Sequence, residues 1–69
     1  SVGGDIVVRS LGSTITGNSF QGGGVDGKCV YLLSSSNSNL ATVNNMSQST
    51  CTTQILDSGA SNVTTGNLI

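Results

Sequence analysis

Short runs of apolar, mostly β-branched residues alternate with segments rich in Gly, Asn and Ser along this chain. Such runs predict β-strands, and they occupy residues 5–9, 13–16, 28–33, 40–43, 51–56 and 62–65. Leu40, Val43 and Met46 also have helical spacing. Because Asn39 can cap a helix, a short helix is the alternative for residues 40–48. The pattern as a whole predicts an all-β protein.

The strand predicted at 28–33 carries apolar side chains on both of its faces. A strand of this kind is covered on both sides, either inside its own domain or at an interface with another molecule. The strand is also β-prone, free of Pro and almost uncharged, which is typical of segments that associate. Its candidate interface residues are Val30, Tyr31, Leu32 and Leu33.

Length and turn residues predict the fold class. The 69 residues allow one domain, so we expect a single small β-domain over 1–69 with a flexible lead-in at 1–4. Turn signals between short strands, including the Asp26-Gly27 pair that favours hairpins, predict an antiparallel sandwich or barrel of five to seven strands. No internal repeat of fixed period is visible, which argues against a solenoid.

Cys29 and Cys51 are the two cysteines of the chain, which has no His. A structural zinc site needs four N or S ligands, so this pair fits a disulfide in an oxidising compartment better than a metal centre. The alternative is two free buried thiols. A disulfide would stabilise a domain too small to rely on its core alone, and it predicts an extracellular or cell-surface location.

Charge is unusually scarce, with two basic and three acidic residues in the chain and none between positions 29 and 56. Arg9 and Lys28 cannot form the basic patch that nucleic-acid binding requires, so no nucleic-acid partner is expected. No apolar run approaches the roughly 20 residues of a membrane-spanning helix. No signal peptide is visible, and the first residue, Ser1, is compatible with a leader that has been removed.

No catalytic site is expected. The serines lack a His base, and Asp26 and Asp57 lie in turn contexts where Asp bonds the local backbone. The segment 22–28 has the Gly-x-x-x-x-Gly-Lys spacing of a phosphate-binding loop, but Cys29 stands where Ser or Thr would bind magnesium, and a strand follows where the motif needs a helix. We therefore predict a non-enzymatic protein without cofactor or metal.

Two functional hypotheses follow. The first is a secreted or surface-displayed structural protein that associates with copies of itself in a filament, coat or matrix, because low charge promotes association. The second is a small secreted binding module, a toxin or effector that engages a host protein or glycan through its loops. Asn45 and Asn62 begin Asn-x-Ser/Thr sequences and are candidate glycosylation sites.

Overall fold

Seven short strands make up the regular structure in a computed structural model that describes residues 3–23 and 26–69. The strands follow one another along the chain, and the chain changes direction between them. Their bounds are β1 Ile6–Val8, β2 Thr14–Thr16, β3 Ser19–Gly22, β4 Lys28–Leu32, β5 Leu40–Thr42, β6 Asn45–Ser49 and β7 Thr53–Asp57. The all-β class, with seven strands and one disulfide, is therefore confirmed.

The pairing of these strands is parallel, so the predicted antiparallel sandwich or barrel is wrong. They form three small sheets, ordered β1-β4-β7, β2-β5 and β3-β6, and no pairing among the described residues closes a barrel. Each strand pairs with the strand that lies one full circuit of the chain away. The chain therefore coils as a three-sided parallel solenoid, contrary to our expectation from the missing fixed period.

Each circuit of the coil is called a rung here. The first rung contains β1, β2 and β3, and the second contains β4, β5 and β6. The third contains β7 followed by Val63 and Leu68, which bridge to Leu40 and Asn45. Ile6 pairs with Val30 and Val30 with Ile55, whereas Ser19 pairs with Asn45 and Asn45 with Leu68.

The length of a rung varies from place to place because its turns vary in length. Partners on successive rungs are 24 and then 25 residues apart on the face formed by β1, β4 and β7. They are 26 and then 23 apart on the face of β2 and β5, and 26 or 27 and then 23 apart on the face of β3 and β6, where the register shifts at a bulge. Parallel pairing requires only that strands align in space, so no fixed period is needed. The smallest dimension of the molecule, 13 Å, matches three strands stacked about 4.8 Å apart.

The interior of the coil holds one small apolar core. Val30 and Leu32 of the middle strand are fully buried, and Phe20 of β3 and Met46 of β6 reach the same cluster. Its other buried members are Val8, Cys29 and Cys51. Strands β1, β3 and β6 each contribute one buried residue and β4 contributes three, while Ile15 of β2 and Ile55 of β7 pack against the cluster from partly buried positions. Stacking of the rungs makes this core continuous.

Five of the six predicted strands agree in position with strands of the structure, namely β1, β2, β4, β5 and β7. Strands β3 and β6 were not predicted, because each has a single large apolar residue, Phe20 or Met46, among polar ones. Residues 40–48 form strands rather than the alternative helix, and 62–65 contributes only the bridge at Val63. Of the expected lead-in, Ser1 and Val2 lie outside the described residues, whereas Gly3 is buried.

One corner of the coil requires a left-handed backbone on every rung. Gly17, Val43 and Gly66 stack there with φ of 72°, 56° and 76°, and their amides link the rungs through Gly17 N–H to Val43 O and Val43 N–H to Gly66 O. Glycine adopts this region freely, but a β-branched residue is strained in it by about 1–2 kcal/mol. Val43 is thus the strained member of the stack.

Val43→Gly is therefore expected to stabilise the protein. The strain released exceeds the cost of making the unfolded chain more flexible, about 0.5–1 kcal/mol, and the lost side chain is 66% exposed. The net gain in the free energy of unfolding should be about 0.5–1 kcal/mol in urea denaturation. Val63→Gly, at an exposed extended position, is the matched control and should destabilise. A loss of stability in Val43→Gly would contradict the assignment of strain.

Candidate functional site: polar ladders and edge strands of the coil

The Cys29–Cys51 disulfide predicted from the sequence is present, with the two Cα atoms 5.8 Å apart. It joins β4 to the segment that precedes β7, and both cysteines are buried. A carboxylate oxygen of Asp5 lies within 4.8 Å of both sulfur atoms. Because these sulfurs are bonded to each other, they are not thiolates and this cluster does not have the ligands of a metal site.

Reduction of this disulfide should strongly destabilise the domain. Closing a loop between residues 22 apart in sequence stabilises a folded chain by about 3 kcal/mol in the chain-entropy model. The melting temperature should fall by more than about 10 °C in reductant, as measured by circular dichroism. Mass spectrometry after alkylation must show that both thiols were free. An unchanged melting temperature in fully reduced protein would contradict this prediction.

The candidate interface residues of β4 fall into two groups. Val30 and Leu32 are 0% exposed and fill the interior of the coil, so their side chains are not available to another molecule. Tyr31 and Leu33 remain partly exposed. Tyr31 lies on the outside between Val7 and Leu56 in register.

Lys28 and the glycine-rich segment have structural neighbours. The Lys28 ammonium lies 5.3 Å from the centre of the Tyr31 ring and donates to the carbonyl of Asp26 at 3.4 Å. The segment 22–28 leads from β3 into β4 rather than into a helix, and Gly24 and Val25 lie outside the described residues. The Asp26-Gly27 pair turns the chain with positive φ at both residues, but it does not form a hairpin.

The carboxylate of Asp57 accepts hydrogen bonds from residues of the turn that follows it. Its Oδ1 accepts hydrogen bonds from the amide N–H of Gly59 and from Nδ2 of Asn62, at 3.0 and 2.9 Å. These bonds agree with the structural role expected for Asp in a turn. Across the described residues the surface has no pocket.

The two candidate glycosylation sites differ in environment. Asn45 is exposed, and its Oδ1 accepts from the amide N–H and hydroxyl of Ser47 at 3.1 and 2.7 Å. In contrast, Nδ2 of Asn62, the atom that a glycan would modify, donates to Ser36 and Asp57. Attachment of a glycan at Asn62 would break these bonds, so Asn45 is the accessible site of the two.

A ladder of asparagines, which the sequence analysis did not find, runs along one corner of the coil. It consists of Asn18, Asn44 and Asn67, one on each rung. Oδ1 of Asn44 accepts from the backbone N–H and Nδ2 of Asn18 at 3.2 and 3.1 Å. Oδ1 of Asn67 accepts from the same two groups of Asn44, both at 3.0 Å. Asn44 is only 2% exposed, so this ladder satisfies polar groups inside the corner.

A second ladder runs along another corner of the coil, five residues earlier in each rung. It consists of Ser13, Asn39 and Asn62. Oδ1 of Asn39 accepts from the backbone N–H of Ser13 at 2.7 Å, and Oδ1 of Asn62 accepts from the backbone N–H and Nδ2 of Asn39 at 2.9 and 3.1 Å. The first rung thus has Ser where the other two have Asn. Its hydroxyl lies against that of Ser10.

The sequence does contain a signal for both ladders. Residues 12–18, 38–44 and 61–67 read GSTITGN, SNLATVN and SNVTTGN. Each has a residue with positive φ, then Ser or Asn, and the same two features recur five positions later. Because these heptapeptides start 26 and then 23 residues apart, a search for one fixed period misses them.

Within residues 3–23 and 26–69, β1 and β7 are the edge strands of the three-stranded sheet, and β2 and β3 each pair with one other strand. Native edge strands are commonly protected by Pro or by charge, especially Lys. Strands β1, β2 and β3 contain neither, and β7 contains only Asp57.

An apolar row also lies on the outside of the face that contains β2, β5 and Val63. Leu40 and Val63 are bridged neighbours with 37% and 48% of their surfaces exposed. Leu11, Val43 and Leu68 are likewise exposed. These side chains lie on the outer surface of the coil and are not part of the core.

Comparisons with protein families, curated proteins and solved structures give no match for this chain. Within residues 3–23 and 26–69, no helix is long and apolar enough to span a membrane. The disulfide is compatible with an oxidising extracellular environment.

Proposed function

We propose that the protein is a non-enzymatic structural subunit that associates with copies of itself in an extracellular or cell-surface filament, coat or matrix. The observation that carries this proposal is a parallel β-coil with almost no charge, in which strands β1, β2 and β3 contain neither Pro nor a charged residue. Strands of this kind lack the features that prevent a sheet edge from pairing with another chain, and a low net charge removes the repulsion that would oppose such pairing.

The disulfide supports the proposed location. Disulfides persist outside the cytosol, and this one links two rungs of the coil. A disulfide of this kind makes a small coil more stable than its core alone would make it.

Light scattering coupled to size-exclusion chromatography, over a concentration series, tests self-association. We expect the mean mass to rise with concentration beyond that of a dimer, and electron microscopy of the largest fraction should show ordered assemblies. A mass that stays at one chain, 6.9 kDa, over the whole series would contradict the proposal.

A second candidate is a small secreted binding module, such as a toxin or effector. The exposed row of Leu40 and Val63 favours it, because an aliphatic surface suits a host protein better than a glycan. A stable monomer in the same chromatography, together with loss of host-protein binding in Leu40→Ser, would support this function over the first.

A further inference from the structure

We propose that the outer side of one face of the coil binds ice. The face contains β2, β5 and residues 63–65, and it lies between the two polar ladders. This inference goes beyond the proposed self-association and does not depend on it. The side chains that carry it form two columns across the rungs, and we call them the outer array: Thr14, Leu40 and Val63 in one column and Thr16, Thr42 and Thr65 in the other.

The alternation of extended backbone directs the outer array away from the core. Thr14 and Thr16 are exposed on β2, whereas Ile15 between them packs against the core cluster. On β5, Ala41 is fully buried and its two neighbours are more exposed. Residues 63–65 repeat this pattern, with a half-buried residue between two exposed ones. The six side chains of the array therefore share one surface of the coil.

The outer array repeats in two directions at distances that β-structure sets. Side chains two residues apart on a strand are separated by about 6.6 Å, and register partners on neighbouring strands by about 4.8 Å. Water oxygens on a prism plane of ice repeat at similar distances along two perpendicular directions. A layer of water bound to the array can therefore continue into the lattice of an ice crystal.

The chemistry of threonine suits this ordering of water. Each hydroxyl can donate and accept hydrogen bonds, and within residues 3–23 and 26–69 none of the four threonine hydroxyls of the array has a partner in the protein. Gly66 leaves the Oγ1 of Thr42 uncovered, since a Cβ at Gly66 would lie 2.8 Å from it. The methyl groups of the array restrict the orientations of the adjacent water molecules. Hydroxyls and methyls together can thus fix an ordered layer.

The two polar ladders fix the backbone on both sides of the array. On the second rung, Asn39 precedes the array residues and Asn44 follows them, and both side chains bond to a neighbouring rung. Side-chain ladders of this kind can keep a sheet from twisting, and the β-branched side chains of Thr and Val have restricted χ1. The array is therefore ordered before it meets a ligand, so binding costs little conformational entropy.

Other ligands fit this face less well. The segments 12–18, 38–44 and 61–67 contain no aromatic side chain that could stack on a sugar ring and no charge that could attract an ionic ligand. Across the described residues there is no pocket for a small molecule. A protein partner would have to pair or bury four hydroxyls, at a cost for each one left unpaired. Ice is uncharged and extended, and its water molecules pair with these hydroxyls.

Thermal hysteresis, the gap between the melting and freezing temperatures of an ice crystal held in protein solution, tests the inference. Wild-type protein from each size-exclusion fraction should give the crystal facets and produce a gap that grows with concentration. Serum albumin at the same concentration is the control and should produce no gap. Round crystals without a gap at every concentration would overturn the inference, whether or not the protein self-associates.

The variant Thr42→Tyr places a large ring at the centre of the threonine column and should remove most of the gap. Gln48→Tyr makes a similar change at an exposed position of β6, on another face, and should leave the gap unchanged. Circular dichroism must show that both variants fold with similar melting temperatures. An unchanged gap in Thr42→Tyr, or an equal loss in both variants, would show that this face does not bind ice.

A second pair of variants tests the same face if Thr42→Tyr fails to fold. Thr16→Lys introduces a long charged side chain at an exposed position of β2 and should lower the gap, whereas Gln21→Lys, at an exposed position of β3 on the same rung, should not. If wild-type protein produces no gap but binds a host protein, and Thr16→Lys abolishes that binding, the face recognises protein and the inference of ice binding is wrong.

Discussion

Unfolding is the expected result of Val30→Lys. Val30 is 0% exposed at the centre of the middle strand, between Ile6 and Ile55. An unpaired charge at such a position costs several kcal/mol. That is comparable with the whole stability of a domain of this size, roughly 3–10 kcal/mol. Circular dichroism at 25 °C should show loss of the β-spectrum, and the variant should be sensitive to protease.

Val63→Lys is the matched control, because it makes the same change on the same coil at a residue that is 48% exposed. Its melting temperature should stay within a few degrees of the wild-type value, since exposed substitutions usually change stability by less than about 0.5 kcal/mol. If Val30→Lys stays folded and merely disperses assemblies, Val30 is an interface residue after all, and the assignment of the core is wrong.

Asn44→Ala should be the most damaging single change among the polar residues. The side chain of Asn44 accepts two hydrogen bonds from Asn18 and donates to Asn67 and to the carbonyl of Ile15, the last at 3.2 Å. Its removal leaves the backbone N–H of Asn18 and the carbonyl of Ile15 without these partners. Each buried unsatisfied group costs about 1–3 kcal/mol, so we expect a loss of about 3–4 kcal/mol in urea denaturation.

The neighbouring residue provides the control for this prediction. Asn45→Ala removes the same side chain from an exposed position whose hydrogen bonds reach only Ser47. Its cost should stay below about 1 kcal/mol. Similar losses for Asn44→Ala and Asn45→Ala would mean that the ladder does not stabilise the coil.

Local strand propensity predicted the elements whose side chains are mostly apolar, such as β1 and β4. It failed at β3 and β6, where one inward residue, Phe20 or Met46, is enough for a strand. A strand in a coil is held by the rungs above and below it, so it needs fewer apolar residues of its own. The composition of a single segment does not reveal that support.

Parallel pairing and the ladders were not predicted for a related reason. Turn signals such as Asp26-Gly27 are compatible with a hairpin or with a corner of a coil, and only pairing over a whole rung distinguishes the two. Residues 34–39 consist only of Ser and Asn, which is typical of an exposed loop, yet Ser36 and Asn39 are 1% and 2% exposed. Their burial depends on partners about 25 residues away, as between Asn39 and Asn62 or Ser10.

The position of the disulfide also affects how quickly the chain can fold. Every strand contact joins residues more than 20 positions apart, and contacts of such long range slow the search for the native state. The bond between Cys29 and Cys51 encloses almost one complete rung, so in the denatured chain it keeps the regions of β4 and β7 close together. Oxidised protein should therefore refold faster than reduced protein, with the second rung as the nucleus on which the first and third are added.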